Sequence, residues 1–392
     1  MFSYRHAFHA GNHADVLKHM VLQQIIGYMI QKPAPLTYID THAGAGMYQL
    51  DGEHAMRSGE ANSGVARLFA LRREGQTLPP MLNEYLDLVQ SMNPPARLRY
   101  YPGSPFWADR LLRDEDRLRL FELHNTDIKL LLENMQKAQQ HARAQGVHSR
   151  GKRVMVHQEN GFDGVKGLVP PPSRRALVLI DPPYEDKQDY RYLMRCLQEC
   201  VKRFAGGTYA IWFPLLQRQE SRQLAAKMQQ LPGTEWLYVS LNVAAPRADG
   251  NGLTGSAMFI INPPWTLEAA LRAQMPEITR LLAQDAGASF ELRSGVGAFA
   301  GKRPPEDEEV QTAQPRSAAP LRPRLAGGVK AQGPLSPTLR RVRQALGEGD
   351  KTERKTGPQR GSLRQTEDAQ KRRRVAGGPM PAKAPGRGPR KA

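Results

Sequence analysis

Cysteine is almost missing. Cys196 and Cys200 are the two thiols in 392 residues, too few for a disulfide framework and in keeping with a reducing, cytoplasmic setting. Their i,i+4 spacing on a helical pattern could offer half of a metal site, but no second pair completes it, so both are expected to be buried thiols. No apolar run is long enough to cross a bilayer, and no basic n-region followed by an apolar h-region opens the chain, so a membrane role is not expected. There is no internal repeat, which sets aside solenoids and propellers. Acidic residues are outnumbered, 38 Asp and Glu against 56 Lys and Arg, for a formal charge of +18.

That charge is unevenly spread. Residues 301–392 carry 22 Lys and Arg against 9 Asp and Glu, a net of +13, which leaves +5 for residues 1–300. Blocks such as Lys371-Arg372-Arg373-Arg374 sit in a background of Pro, Gly, Ala and Gln with few aromatic or β-branched clusters. Such a segment cannot bury a core, so 298–392 is expected to be a disordered basic tail. It would add sequence-independent affinity for a polyanion, or serve only as a solubilising extension.

Ahead of the tail, short apolar runs alternate with helical patterns. Leu36–Asp40, Arg117–Glu122, Arg153–His157, Ala176–Ile180 and Thr208–Phe213 read as strands, followed by Glu235–Val243, Ser256–Ile261 and Ala288–Leu292. Strand and helix in alternation predict an α/β fold with a doubly wound, mainly parallel sheet. The gap after the first strand is long. Amphipathic segments around Gly64–Arg73 and Met81–Gln90 predict a small helical insert at 47–104, between the cap segment and first strand (1–46) and the remainder of the domain (105–297).

The most informative stretch is Asp181-Pro182-Pro183-Tyr184. It follows Ala176-Leu177-Val178-Leu179-Ile180, a wholly apolar run of the kind buried on both faces of a parallel sheet. A carboxylate at the carboxyl end of such a strand lies where open α/β sheets bind their ligands. Two prolines fix the backbone and remove two N–H donors, leaving carbonyl oxygens free to accept. Tyr184 adds an aromatic plate. Two acceptors and a plate suit an amino group carried on a planar ring. Asn262-Pro263-Pro264-Trp265, after Ala257–Ile261, is an internal competitor without the charge.

Other strand ends carry matching parts. Asp40-Thr41-His42-Ala43-Gly44-Ala45-Gly46 follows the first strand, and its Gly-x-Gly turn permits close backbone approach to a ligand. Glu122 ends the second strand, where a carboxylate can accept ribose hydroxyls. Asn160-Gly161-Phe162 follows the third. Together with the fourth-strand motif they describe a pocket for S-adenosylmethionine beside one for an amino-bearing base.

Several segments carry a family resemblance. Tyr4-Arg5-His6 with Phe8–His19, Tyr100–Pro105, Phe121-Glu122-Leu123-His124, Leu179–Tyr184 and Lys202–Ala210 resemble the RlmJ family of bacterial 23S ribosomal RNA adenine-N6 methyltransferases. The resemblance covers about residues 1–297. It implies a Rossmann-like class I methyltransferase fold, S-adenosylmethionine contacts at His19, His42, Ser104, Glu122 and Asn160-Gly161, and Asp181 as the catalytic residue. It also implies 23S rRNA as partner, at one adenine near the peptidyl-transferase region. The family tends to have Asp-Gly where this chain has Asn160-Gly161.

On that basis Asp181, the Pro182 carbonyl and Tyr184 are the expected catalytic set, with Gly44 in the cofactor loop. Tyr4, His6 and Lys18 are the expected RNA contacts, Tyr4 stacking on a base and Lys18 meeting a phosphate. His9 and His13, one helical turn apart, could instead hint at a metal, but no Cys joins them and the chemistry needs none. Three alternatives stay open: a DNA adenine methyltransferase, a protein-glutamine methyltransferase built on Asn262, and a non-catalytic RNA-binding assembly factor.

Overall fold

The computed structural model describes residues 6–95, 97–144, 152–246 and 252–297. The expected tail and Tyr4 lie outside them. The chain enters through helix α1 (His13–Met29), started by Asn12, whose side chain accepts from the N–H groups of Ala14 and Asp15, each at 3.0 Å. This helix is buried almost all round along most of its length, polar residues included. Its buried polar residues Asp15, Lys18 and His19 stand one turn apart, on one face.

Strand β1 (Thr37–Asp40) follows. A short ribbon then pairs β2 (Met47–Gln49) antiparallel with β3 (Tyr100–Pro102). Between these two strands run α2 (Glu53–Ser58), α3 (Val65–Arg73) and α4 (Pro80–Ser91). The ribbon has no counterpart in the expectations from sequence, because its strands are three residues long and about fifty residues apart.

After α5 (Ser104–Leu111) the order is β4 (Arg117–Phe121), α6 (Asp127–Ala144), β5 (Val154–His157), α7 (Gly161–Leu168), β6 (Ala176–Ile180), α8 (Lys187–Arg203) and β7 (Thr208–Pro214). Then come α9 (Gln219–Gln229), β8 (Glu235–Asn242), β9 (Gly255–Ile261), α10 (Leu267–Leu282) and β10 (Ser289–Val296). The large sheet has eight strands in the order β10-β8-β9-β7-β6-β1-β4-β5. Pairings among β5, β4, β1, β6 and β7 are parallel, whereas β9 is antiparallel to both β7 and β8, and β10 to β8.

Alternate residues of the central strands enter different cores. Tyr38, Leu177 and Leu179 join α1, α4 and α10 on one face, while Ile39, Val178 and Ile180 join α7 and α8 on the other. Both faces are covered, so the central strands are apolar throughout rather than alternating. The chain leaves β1 towards β4 on one side and returns as β6 on the other. The reversal between β1 and β6 is where such sheets hold ligands, beyond the carboxyl ends of the strands.

Candidate active site

Beyond those carboxyl ends lies a cavity of about 290 Å³, near the lower end of the range for small-molecule sites, roughly 300–1,000 Å³. Its walls bring together His19, His42, Gly44, Ser104, Glu122, Asn160, Gly161 and Asp181. Gly44 has φ of 61°, and a Cβ there would lie 2.2 Å from the Tyr48 hydroxyl, so the loop after β1 turns as only glycine allows. Gly44 N–H donates to Glu122 Oε2 at 2.8 Å, and His124 N–H to Oε1 at 2.6 Å. Burial raises the Glu122 pKa, and these two N–H groups oppose it. The carboxylate thus ties the glycine loop to the end of β4 and keeps lone pairs for further donors.

Asn160 caps α7, accepting from Phe162 N–H at 2.9 Å. An Asp would accept there equally, so the family's usual residue and this chain's share the structural task. Gly161 meets the β1 loop so closely that a Cβ would lie 1.9 Å from the Thr41 carbonyl oxygen. Gly161→Ala is therefore expected to push α7 away from β1, with a loss of roughly 3 kcal/mol of stability. Gly167→Ala in the same helix meets nothing within 4 Å and should gain up to about 1 kcal/mol. Thermal melts and calorimetry check the pair. Similar behaviour of the two variants would exclude the close contact as the cause.

Buried polar groups underlie the cavity. Ser104 Oγ donates to Asp40 Oδ2 at 2.6 Å and Tyr38 to the same oxygen at 2.9 Å. Burial pushes the Asp40 carboxyl up to about 6. His42 is pushed down to about 3 by burial, and His19 well below its ordinary value, so both rings are neutral at pH 7. The His19 ring stacks on Trp107 with centroids 5.3 Å apart. Its Nδ1 meets the Tyr101 hydroxyl at 2.7 Å, while Nε2 is buried with no protein partner among the described residues.

A second cavity, about 270 Å³, abuts the first, with His6, Lys18, Asp181 and Pro183 in the shared wall. Tyr184 lines it with φ of 54°, a conformation bulky residues rarely adopt. Its hydroxyl donates to the Trp212 carbonyl at 2.7 Å, and the Arg218 guanidinium donates to the Tyr184 carbonyl at 3.2 Å. Pro182 is buried and lines neither cavity, whereas Pro183 lines both.

Lys18 differs from expectation. Instead of facing outward to a phosphate, it is buried, with its ammonium 2.6 Å from Asp181 Oδ2 and 2.9 Å from Asp15 Oδ1 and 5.4 Å from the centre of the Trp212 ring. Asp15 also meets His6 Nε2 at 3.0 Å and accepts from Gly11 N–H at 2.9 Å. Asp15, Asp40, Tyr101 and Trp212 were given no role in the site from the sequence. The signal for Asp15 was there, an acid three residues before Lys18 in a mostly apolar helix.

The competing features resolve structurally. β9 runs antiparallel to β7, with Ile261 beside Tyr209, so Asn262 lies at the sheet edge opposite Asp181. Its Nδ2 donates to the carbonyls of Ala205 and Gly207, a loop-fixing role. His9 pairs with Glu60 and His13 with the Leu253 carbonyl, and no group fit to hold a metal occurs among the described residues. The two cysteines are buried thiols, Sγ atoms 3.9 Å apart.

Residues 33–292 match a family profile described as ribosomal RNA large subunit methyltransferase D, RlmJ. A protein of Escherichia coli (strain K12) named ribosomal RNA large subunit methyltransferase J is 44% identical over 276 residues, 70% of this chain and 92% of that protein. Its namesake from Haemophilus influenzae is 40% identical over 293 residues, covering 74% and 98%. A crystal structure of a Legionella pneumophila protein aligns at 31% identity with a TM-score of 0.64, over 73% of this chain and 98% of that one. With a profile spanning most of the chain and relatives matched over nearly their whole length, this chain belongs to the RlmJ family of ribosomal RNA large subunit methyltransferases.

Proposed function

We propose that this protein is an S-adenosylmethionine-dependent methyltransferase acting on the exocyclic N6 of one adenine in 23S rRNA. The observation that carries this is the placement of Asp181 on the wall shared by two cavities. A methyl donor in one and a base in the other would meet at its carboxylate.

The residues present suit S-adenosylmethionine. The cavity has the size of a small-molecule site, an unpartnered buried His19 Nε2, a glycine loop lying close to Glu122, and the Asn160-Gly161 turn. Glu122 would accept the ribose hydroxyls, Asn160-Gly161 would meet the adenine, and His19 and Ser104 would serve the methionyl end. When bound, S-adenosylmethionine supplies an electrophilic methyl group on a sulfonium.

In the second cavity the Asp181 carboxylate would accept one N–H bond of the target amino group, with a carbonyl of the adjoining Pro182-Pro183 stretch, of which Pro183 reaches the cavity, for the other. This turns the nitrogen lone pair, otherwise delocalised into the ring, towards the methyl. Lys18 engages Oδ2 of Asp181, so Oδ1 is the oxygen left for the base and for the proton the nitrogen sheds. Orientation of this kind supplies much of the rate in a direct transfer. The base must leave its stack or come single-stranded to reach so recessed a carboxylate. The basic tail would add polyanion affinity of no sequence preference.

The test compares methyl transfer from labelled S-adenosylmethionine to protein-free 23S RNA and to duplex DNA. Incorporation into the RNA alone, mapped by mass as N6-methyladenosine, is the expected result. Preferential labelling of DNA would favour a DNA enzyme, and failure to bind S-adenosylmethionine by calorimetry would favour a non-catalytic assembly factor.

A further inference from the structure

We infer that Tyr85 and Tyr101 are positioning residues that hold His19 in the tautomer protonated at Nε2, making it a donor for the carboxylate of the cofactor's methionyl end. The inference rests on the proposed S-adenosylmethionine site, and it gives the helical segment between β2 and β3 a part in that site.

Three buried groups form a line. The His19 Nδ1 lies 2.7 Å from the Tyr101 hydroxyl, which lies 3.0 Å from the Tyr85 hydroxyl. All three side chains are essentially sealed from solvent: Tyr85 and Tyr101 are 0% exposed and His19 1%. Tyr85 comes from α4 and Tyr101 from β3, whereas His19 comes from α1 and reaches the cofactor cavity. Neither hydroxyl has another hydrogen-bond partner among the described residues.

Counting hydrogens decides the direction. A neutral His19 brings one N–H and each tyrosine one O–H, three hydrogens for two bonds. If Tyr85 donates to Tyr101 and Tyr101 donates to His19 Nδ1, both hydroxyl hydrogens are used. The single hydrogen left over is then on the buried Nε2 of His19, and His19 is the one residue of the three that lines the cavity, so a bound ligand there could accept it. If His19 donates from Nδ1 instead, one tyrosine hydroxyl must keep a hydrogen in a dry interior with nothing to accept it. A buried donor without an acceptor is the costlier arrangement, and the bias against it should be roughly tenfold or more.

The tautomer sets what the cavity can recognise. An Nε2–H donates and so meets a carboxylate, whereas a bare Nε2 would accept and so meet the ammonium of the same amino acid. Stacking on Trp107 holds the ring plane, and the tyrosines choose which nitrogen carries the proton.

Histidine tautomers are read directly from two-bond proton–nitrogen correlation spectra of the full chain labelled with ¹⁵N-histidine and free of cofactor. His19 is assigned with a His19→Asn variant. The expected pattern is a protonated Nε2 and an unprotonated Nδ1, and the opposite pattern would overturn the inference even if S-adenosylmethionine binds well. In Tyr101→Phe the two tautomers should mix. Affinity for S-adenosylmethionine should fall about tenfold, with kcat at saturating cofactor within about twofold. Tyr85→Phe should show a weaker version of the same effect. Decarboxylated S-adenosylmethionine supplies the selective readout. Wild-type protein should discriminate against it, and Tyr101→Phe should lose about tenfold of that discrimination. An equal loss of affinity for both ligands would mean a merely structural role. Should the expected tautomer be found while S-adenosylmethionine does not bind wild-type protein, the proposed function fails and the relay stands.

Discussion

Asp181→Ala is expected to reduce methyl transfer to 23S RNA by about 10³-fold or more, with S-adenosylmethionine binding held within about threefold of wild type. The magnitude follows from removing a charged acceptor aimed at the site where positive charge develops, typically 10²–10³-fold or more. The selectivity follows from position. Asp181 is one of many residues around the cofactor cavity, whereas it and the adjoining peptide supply the proposed acceptors for the base. The fold should survive, because Lys18 keeps its bond to Asp15 when Asp181 is gone. Asp181→Asn retains one acceptor oxygen and loses the charge, so an intermediate rate is expected. Initial rates at saturating cofactor, paired with calorimetric titration of S-adenosylmethionine, separate the two quantities. Turnover above one tenth of wild type in Asp181→Ala would remove Asp181 from the catalytic role.

Much of the sheet was legible in the sequence because its central strands are buried on both faces. Ala176–Ile180 and Tyr209–Phe213 read as interior strands because five apolar residues run together in each. Hidden from that logic were directions and distant pairings. Nothing local distinguishes β9 from a parallel strand, yet its reversal is what sends Asn262 to the far edge and leaves Asp181 at the ligand edge. The β2–β3 ribbon was missed for the same reason. Strand-end motifs marked residues that meet in one cavity, because glycine, acid and Asn-Gly each have a backbone reason to stand there. The polar layer beneath it was less visible. Asp40 reads as an ordinary strand terminus until Ser104 and Tyr38 are seen to donate to it, and Tyr101 reads as core. Lys18 shows the limit most clearly, since a lysine in a sequence carries no sign of whether it faces a phosphate or two carboxylates.

Lys18→Met is expected to cost about 3–5 kcal/mol of stability at neutral pH, the typical effect of removing one partner from a buried ion pair, and to lower Tm by on the order of 10 °C. Methionine fills nearly the same volume, so the loss is electrostatic: Asp15, fully buried, keeps His6 and the Gly11 N–H but loses the ammonium. The pH dependence carries the sign. In wild type, burial tends to raise the Asp15 pKa, but His6 and Lys18 overcome it and hold the carboxyl well below its ordinary value. A depressed acid contributes stability that is in place above its unfolded value and is lost only as pH falls through the lower folded one. Without Lys18, burial regains ground and the folded pKa moves above the unfolded value, so the folded variant favours the protonated acid. The deficit relative to wild type should therefore widen as pH rises from about 5 to 8 and narrow in acid, where Asp15 takes a proton. Asp15→Asn added to Lys18→Met removes the stranded charge, and much of the lost stability should return with little pH dependence. Melting curves of the single and double variants across that range are the measurement. A deficit below about 1 kcal/mol, or one that does not vary with pH, would mean that the Lys18 ammonium is solvated rather than sealed between two carboxylates.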